Sequence, residues 1–181
     1  MEELQQRIVQ LLPKSSIGRY DLLPVLADKE LSREIARQLA EPYRDKADIV
    51  VAPEALGWLL GEKIAAELDV PLLPLRKGEK LPYASEELYR VAFMDYSGHR
   101  KSLETVKNAP LDGKRVLIVD EWIETGAQIK AVMALLEKFQ GDDPQALASA
   151  ILAAGRERRG GDDDCAVLAL YRDKDGGAVE V

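Results

Sequence analysis

The sequence predicts an α/β protein in which helices flank a central, mainly parallel sheet. Short segments made only of apolar residues are typical of strands that are covered on both faces. Between these segments lie stretches in which apolar residues recur at helical spacing. The chain has 181 residues, of which 46% are hydrophobic and 31% are charged, a composition typical of a compact globular protein. We therefore expect a single domain over residues 1–181.

Two helices are predicted before the first strand. Leu4, Ile8 and Leu11 follow the spacing of one amphipathic face, and Pro13 ends that first helix. The second helix is predicted over residues 29–41, with Asp28 as its N-cap.

The middle of the chain alternates between strand and helix patterns. Residues 49–52 and 72–75 are predicted to be strands, and residues 58–68 between them show a helical apolar face. Residues 77–107 contain Gly, Pro, Ser and many charged residues, and only residues 89–94 resemble a strand. We therefore interpret residues 77–107 as a loop excursion outside the core of the fold.

The clearest pattern begins at residue 116. A strand over residues 116–119 is followed by two acids, a Thr-Gly turn and a helix. One face of that helix carries Ile129, Val132, Met133, Leu136 and Phe139. Two further strands are predicted at residues 146–153 and 166–171, and the tail after residue 172 is interpreted as a frayed end or an edge strand.

Composition excludes several classes of function. Lys and Arg number 25 against 32 Asp and Glu, and the net charge of −7 argues against nucleic acid or an anionic membrane as a partner. The one cysteine, Cys165, and the one histidine, His99, provide neither an intrachain disulfide nor a zinc site built from Cys and His. Because the sequence has no long apolar segment, we expect no signal peptide, no membrane span and a cytoplasmic location.

Candidate ligand-binding residues follow the strand over residues 116–119, because ligands of such sheets bind beyond the carboxyl ends of the strands. Asp120 and Glu121 are adjacent carboxylates suited to a diol or to a hydrated magnesium ion. Residues 125–128 open a helix, whose N-terminus is suited to a phosphate, and Gly126 allows close approach to the backbone. Taken alone, the pattern fits a ligand site and an ordinary strand-ending turn with a helix cap equally well.

The segment VLIVDEWIETGAQ resembles the signature of type I phosphoribosyltransferases, which runs from four apolar residues through two acids to a Thr-Gly pair. Three more segments resemble adenine phosphoribosyltransferases in the same order: LLPVLADKEL, IVVAPEALGWLLGEKIAAELDVP and LPLRKGEKLP. The resemblance covers about residues 17–156. It implies the fold of that family, with a small hood formed partly by residues 1–45, and a homodimeric assembly.

The activity that this resemblance implies is Mg²⁺-dependent transfer of the phosphoribosyl group of phosphoribosyl pyrophosphate (PRPP) to a purine base. Adenine is the nearest match, and the products are a nucleoside monophosphate and pyrophosphate, as in purine salvage. Such a displacement passes through a cationic, oxocarbenium-like state, so the protein must neutralise the leaving anion and exclude water. No protein nucleophile is needed, and the sequence shows no Ser/His/Asp or Cys/His arrangement.

The resemblance also implies roles for individual residues. The ribose hydroxyls and Mg²⁺ are assigned to Asp120 and Glu121. The loop that binds the 5′-phosphate comprises Thr125, Gly126, Ala127 and Gln128. The pyrophosphate side comprises Ala55, Leu56, Arg76, Lys77 and Lys80, with a solvated surface as the alternative for the lysines. The base is assigned to Tyr20, Trp122 and Ile123. The catalytic groups are Glu124 and Glu104, and Glu104 lies in residues 77–107, which match a mobile loop that closes over the substrate.

At several positions the chain departs from the adenine-type pattern. Leu56 stands where adenine enzymes usually have an arginine, and Tyr20 stands where they have the arginine of an Arg-Asp motif. Ala127 and Gln128 replace glycine and threonine, and the Gln128 amide is a candidate to replace a hydroxyl donor to the phosphate. Leu56 and the altered phosphate loop favour an alternative of another class, a catalytically silent protein that senses PRPP or a nucleotide.

Two further departures concern the base. Glu124 occupies a position where hypoxanthine and guanine enzymes commonly place an acid, and a carboxylate there assists proton transfer. Its alternative is an ordinary acid near a helix N-terminus. Trp122 replaces an aliphatic residue, and its indole either stacks on the base or packs under a neighbouring loop. Transfer to hypoxanthine, guanine or xanthine is therefore the enzymatic alternative.

Overall fold

The computed structural model describes residues 2–14, 20–95, 97–122, 126–139, 168–172 and 178–179. In these residues the α-helices are α1 (Glu2–Leu11), α2 (Leu23–Ala27), α3 (Lys29–Ala40), α4 (Leu56–Leu68) and α5 (Ala127–Leu136). The strands are β1 (Ile49–Pro53), β2 (Leu72–Lys77), β3 (Leu88–Met94), β4 (Arg100–Val106), β5 (Val116–Asp120), β6 (Leu168–Arg172) and β7 (Ala178–Val179). Three short 3₁₀ turns follow or precede these elements, at Glu41–Tyr43, Ser85–Glu87 and Glu137–Phe139.

The strands form one sheet in the order β3-β4-β2-β1-β5-β6-β7. The central strands β2, β1 and β5 are parallel, with Val51 opposite both Leu73 and Ile118. The outer strands β4, β3, β6 and β7 join antiparallel. The parallel centre with helices packed on it is the arrangement that the strand and helix alternation predicts.

Both faces of the central strands are buried, which explains their continuously apolar sequences. Val50, Leu117 and Val119 pack on one face with residues of α3 and α4. Their neighbours Ile49, Val51 and Ile118 point to the other face and pack with residues of α5. Because no residue of β1 or β5 is exposed, the two strands present functional groups only at their ends.

The N-terminal helices lie against α4. The Asp28 side chain accepts a hydrogen bond from the Leu31 backbone N at 2.8 Å, which confirms it as the N-cap of α3. Leu31 and Ile35 are buried in the same cluster as α4, and Leu4 and Ile8 of α1 pack against that cluster. Helix α2 is not predicted by the sequence pattern, because five residues are too few to show a helical period.

The interpretation of residues 77–107 as a loop excursion needs correction, because β3 and β4 pair as a hairpin from Leu88↔Val106 to Met94↔Arg100. This hairpin belongs to the sheet, since β4 also pairs with β2. In β4 the buried residues are Leu103, Glu104 and Thr105, two of which are polar. Hydrophobic patterning therefore gave no sign of this strand.

The buried face of α5 differs in part from the predicted one. Ile129 and Val132 are buried as expected, and Leu135 is fully buried. Met133, Leu136 and Phe139 are partly buried and pack against the same cluster. The predicted strand at residues 146–153 lies outside the described residues. The predicted strand at 166–171 corresponds to β6, and β7 pairs with β6 within the tail.

Candidate active site

Two adjacent carboxylates stand at the carboxyl end of the central strand β5. Asp120, the last residue of β5, is fully buried. Its Oδ1 accepts a hydrogen bond from the Glu121 backbone N at 3.0 Å, and its Oδ2 accepts one from the Gln128 side-chain N at 2.9 Å. The strand end and the first turn of α5 therefore hold the Asp120 carboxyl in one orientation.

The surroundings of this acid pair disfavour two negative charges. Burial, reinforced by the neighbouring Glu121 carboxyl, raises the pKa of Asp120 to about 9. The Oε2 atom of Glu121 is buried and has no hydrogen-bond partner among the described residues. A buried carboxyl beside a half-buried one that has an unpartnered buried oxygen is a site suited to a cation or to hydroxyl donors.

The first turn of α4 lies directly against the acid pair. A Cβ atom on Gly57 would stand 3.2 Å from Glu121 Oε2 and 3.3 Å from Asp120 Oδ1. Glycine therefore brings the positive end of this helix close to the two carboxylates. Ala55 and Leu56, predicted to belong to the pyrophosphate loop, are the N-cap and the first residue of the same helix.

A second helix N-terminus, that of α5, completes this end of the sheet. Gly126 caps it in the left-handed conformation with φ of 70°. Ile123, Glu124 and Thr125 lie outside the described residues, so their assigned roles stay predictions.

The Gln128 side chain has a partner within the site. Its amide, a predicted donor to the 5′-phosphate, donates a hydrogen bond to Asp120, and its contact with the phosphate stays a prediction. Gln128 therefore acts on the acid pair from the first turn of α5.

A network of opposite charges lies at the end of β2. Glu54 accepts hydrogen bonds from the Lys77 backbone N at 3.0 Å and from the Lys80 side chain, and it forms an ion pair with Arg76 at 3.4 Å. Burial alone raises the pKa of Glu54, but Lys80, the Lys77 amide and Arg76 outweigh it and hold the pKa below its usual value. The predicted basic residues Arg76, Lys77 and Lys80 are thus gathered around one carboxylate.

Arg76 is oriented by an aromatic ring. Its guanidinium carbon lies 5.3 Å from the centre of the Trp58 ring, and Trp58 donates a hydrogen bond to the Leu75 carbonyl at 3.1 Å. The Nε atom of Arg76 is buried without a hydrogen-bond partner in the described part of the chain.

Two of the residues assigned to the base come together. The rings of Tyr20 and Trp122 are 6.3 Å apart between centres and inclined by 38°. The Lys14 side-chain N lies 5.5 Å from the centre of the Tyr20 ring, and Lys14 forms an isolated antiparallel bridge with Tyr20. The N-terminal segment therefore reaches the residue that directly follows the acid pair.

Glu104 lies in β4, within the sheet and not in a loop. Its side chain is fully buried, and both carboxylate oxygens accept hydrogen bonds. This position differs from that of a catalytic group in a loop that closes over the substrate.

Three residues of the site escaped the sequence analysis: Glu54, Gly57 and Trp58. Glu54 had a usable signal, because it directly follows a buried strand, as Glu121 does. Gly57 and Trp58 show no such signal, since their roles depend on residues distant in sequence.

The chain is similar in sequence to known phosphoribosyltransferases. Residues 23–177 match the family model of the phosphoribosyl transferase domain. The adenine phosphoribosyltransferase of Clostridium perfringens (strain SM101 / Type A) is 38% identical over 137 residues, which are 75% of this chain and 77% of that protein. The adenine phosphoribosyltransferase of Thermoanaerobacter sp. (strain X514) is 38% identical over 144 residues, which are 78% of this chain and 81% of that protein.

Solved structures agree with these sequence relatives. Adenine phosphoribosyltransferase from Thermoanaerobacter pseudethanolicus has a TM-score of 0.65 and 34% identity, covering 74% of this chain and 80% of that one. The Saccharomyces cerevisiae enzyme, in complex with an imino-altritol bisphosphate and adenine, has a TM-score of 0.67 and 26% identity, covering 77% and 84%. These similarities confirm the predicted resemblance and fold class.

Proposed function

Because this chain belongs to the family of phosphoribosyl transferase domains, we propose that it transfers the phosphoribosyl group of PRPP to adenine. The products are adenosine monophosphate and pyrophosphate. The observation that carries the proposal is the position of Asp120 and Glu121 at the carboxyl end of a central parallel strand, against the N-terminus of α4 and hydrogen-bonded to the first turn of α5.

In this proposal the acid pair binds the ribose. Two carboxylates with one unpartnered buried oxygen suit the vicinal hydroxyls of PRPP. The same hard oxygen donors suit Mg²⁺, which proteins hold through one or two carboxylates together with substrate phosphates. Among the described residues no group of three or more His, Cys, Asp or Glu side chains is placed to hold a metal ion by itself, so the substrate phosphates would have to supply further ligands. Mg²⁺ bound there would neutralise phosphate charge as the pyrophosphate leaves.

The protein side of the reaction follows from the arrangement of charge. The bond between the anomeric carbon and the pyrophosphate oxygen breaks, and a ring nitrogen of adenine forms the new bond to that carbon. Arg76, Lys80 and the N-terminus of α4 meet the negative charge that develops on the leaving group. The proton released from adenine needs an acceptor, a role in which Glu124 stays a prediction.

The base in this proposal lies against the aromatic pair Tyr20 and Trp122. Both residues are half-buried, and an aromatic ring that keeps some exposed surface is suited to stacking on a base. Trp122→Leu should raise the KM for adenine about fivefold, from a lost stacking contact of about 1 kcal/mol, and leave the KM for PRPP unchanged. Steady-state kinetics with each substrate varied separately measures both constants, and an unchanged KM for adenine would place the base elsewhere.

The decisive experiment is an assay of the purified protein with Mg²⁺, PRPP and adenine. We expect nucleotide formation and pyrophosphate release in equal amounts. Hypoxanthine, guanine and xanthine are the parallel arms, because transfer to one of them in place of adenine would support the role of Glu124 in choosing the base. PRPP binding without release of pyrophosphate with any base would replace the proposal with the sensor hypothesis.

Three finer properties belong to the same proposal. Dependence on Mg²⁺ is checked by repeating the assay with a chelator and restoring the ion. A homodimer is supported by the resemblance, and light scattering after gel filtration tests it. A cytoplasmic location stays a prediction that cell fractionation would test; in the described residues no helix has the length and apolar character needed to cross a membrane.

A further inference from the structure

The buried polar residue Glu104 of the β3–β4 hairpin has a role that the function proposed above does not include, although it rests on that function. We propose that Glu104 is a positioning residue whose carboxylate holds a basic turn, residues 77–81, in the shape that receives pyrophosphate. We call these five residues the basic turn. Glu104 thereby affects the reaction through Lys80 and without contact with the reacting atoms.

The hydrogen bonds of Glu104 come from two sides. Its Oε1 accepts from the backbone N of Lys80 at 3.0 Å and from that of Leu81 at 3.1 Å. Its Oε2 accepts from Nε and Nη2 of Arg90 at 3.0 and 2.8 Å. Only a carboxylate offers acceptors to donors at both ends, because a glutamine would turn an NH₂ group toward one of them.

Neighbouring residues of β4 and Glu54 hold the rest of the basic turn. The Gly78 backbone N donates to the Ser102 carbonyl at 3.0 Å, and a Cβ on Gly78 would stand only 2.0 Å from Ser102 Oγ. Lys77 pairs with Leu103 in the sheet, and its backbone N–H donates a hydrogen bond to the Glu54 carboxylate. The turn is therefore fixed between two carboxylates, Glu54 and Glu104.

Lys80 connects these two carboxylates. Its backbone N is bound by Glu104, while its side chain pairs with Glu54, which directly precedes the first residues of α4. Loss of the Glu104 contact would release the backbone from which the Lys80 ammonium is presented to the leaving pyrophosphate. Loss of this contact would therefore weaken pyrophosphate binding more than it would slow the chemical step.

Proton transfer is a poor role for this carboxylate. Burial alone raises the pKa of Glu104, but the amides of Lys80, Glu79 and Leu81 and the Arg90 guanidinium outweigh it and keep the pKa below its usual value. A charged group with both oxygens occupied and no exposed surface has no free position for a substrate proton.

The test compares Glu104→Gln with Glu86→Gln. The control residue, Glu86, is an exposed glutamate in the 3₁₀ turn that precedes the same hairpin. Pyrophosphate itself is the probe, and calorimetry measures its Kd. We expect Glu104→Gln to raise the pyrophosphate Kd and the KM for PRPP about tenfold, the loss expected for one buried charged hydrogen bond. The kcat at saturating PRPP and the shape of its pH profile should stay unchanged, as should all constants of Glu86→Gln.

Other outcomes overturn the inference. An unchanged pyrophosphate Kd in Glu104→Gln would do so, and so would a fall of kcat by about 10² or more with an altered pH profile, which indicates proton transfer. If Glu104→Gln does not fold, Arg90→Met serves instead, because it removes the guanidinium that orients the Glu104 carboxylate toward the basic turn and leaves residue 104 unchanged. A folded Arg90→Met protein should bind pyrophosphate several times more weakly, and unchanged binding would contradict the proposal.

The proposed function is judged separately in the same experiment. Turnover of wild-type protein with adenine tests the function, whereas pyrophosphate binding tests the basic turn. Wild-type protein that binds no pyrophosphate overturns the inference whatever its turnover.

Discussion

The two charged regions of the site are opposites in electrostatic terms. Around Glu54 each negative charge has cationic partners, and the pKa of its carboxyl is held below the usual value. At the end of β5 two carboxylates face each other, the pKa of Asp120 rises to about 9, and one oxygen of Glu121 has no partner in the described structure. The carboxylate of the first region is compensated by cations of the protein itself, whereas the acid pair of the second region is not.

This difference distinguishes charges that stabilise the fold from charges that bind a ligand. Ion pairs around Glu54 hold Arg76 of β2 and Lys80 of the turn after β2 in place before any ligand arrives. The acid pair costs folding free energy, and a bound cation or diol would offset that cost. Removing charge at the acid pair should therefore lower activity without lowering stability, whereas removing charge around Glu54 should weaken both.

The largest effect is expected from the acid pair. Asp120→Asn and Glu121→Gln should each lower kcat/KM by about 10²-fold or more, because the ribose hydroxyls and the cation lose a charged partner. Their thermal midpoints should be equal to that of the wild type or higher. Glu62→Gln, at an exposed glutamate of α4, is the matched control. Full activity in both acid-pair variants would remove the site from this end of the sheet.

Lys80 gives the next largest effect. Lys80→Met should raise the KM for PRPP about tenfold, since one cation facing the leaving group is lost. It should also lower the thermal midpoint, because Glu54 loses a partner. Lys101→Met, at an exposed lysine of β4, should change neither quantity. An equal KM in the two variants would show that Lys80 is only a solvated surface residue.

Acidity should distinguish the two regions in the ligand-free protein. The pKa of Asp120 rises from 3.8 to about 9 on folding, so the folded state keeps a proton that the unfolded chain releases. This group therefore makes stability fall as the pH rises from about 4 to 9. Asp120→Asn should lose that part of the pH dependence and gain a few degrees over wild type at pH 9 relative to pH 6. Thermal midpoints that change equally with pH in the two proteins would contradict the account of the acid pair.

The smallest effect on activity is expected at the opposite end of the strands. Asp48 accepts three hydrogen bonds from Arg115, at 2.7, 3.1 and 2.8 Å, and these lower the pKa of Asp48 to about 2. Asp48→Asn should cost about 1–2 kcal/mol of unfolding free energy above pH 4, because it removes a charged, partly buried pair. Denaturant unfolding measures this loss, and kcat/KM should stay at the wild-type value. A fall in kcat/KM would mean that the two ends of the sheet are coupled.

Local sequence patterns were sufficient for the central elements. The apolar runs of β1 and β5, the Asp28 cap and the acids after β5 are each recognisable within a few residues, since strand burial and helix capping are local properties. The sheet position of β4 was not recognisable, because its burial is achieved by paired polar groups such as Glu104 and not by apolar residues. The hydrogen bond between Gln128 and Asp120 was not recognisable either, since the partner of an amide depends on what lies within its reach in the folded chain.

The sequence by itself therefore determined the α/β class, the parallel centre and the positions of the acid pair and the basic residues. These depend on periodicity and on the order of residues along the chain. Only the tertiary structure decided which charges meet. Glu54 lies 26 residues from Lys80, and Glu104 lies 24 residues from the same lysine and 14 from Arg90. The pKa of a carboxyl depends on such distant neighbours and on burial. The charge of Glu54 is therefore compensated by cations of the protein, whereas the charge of Asp120 is not.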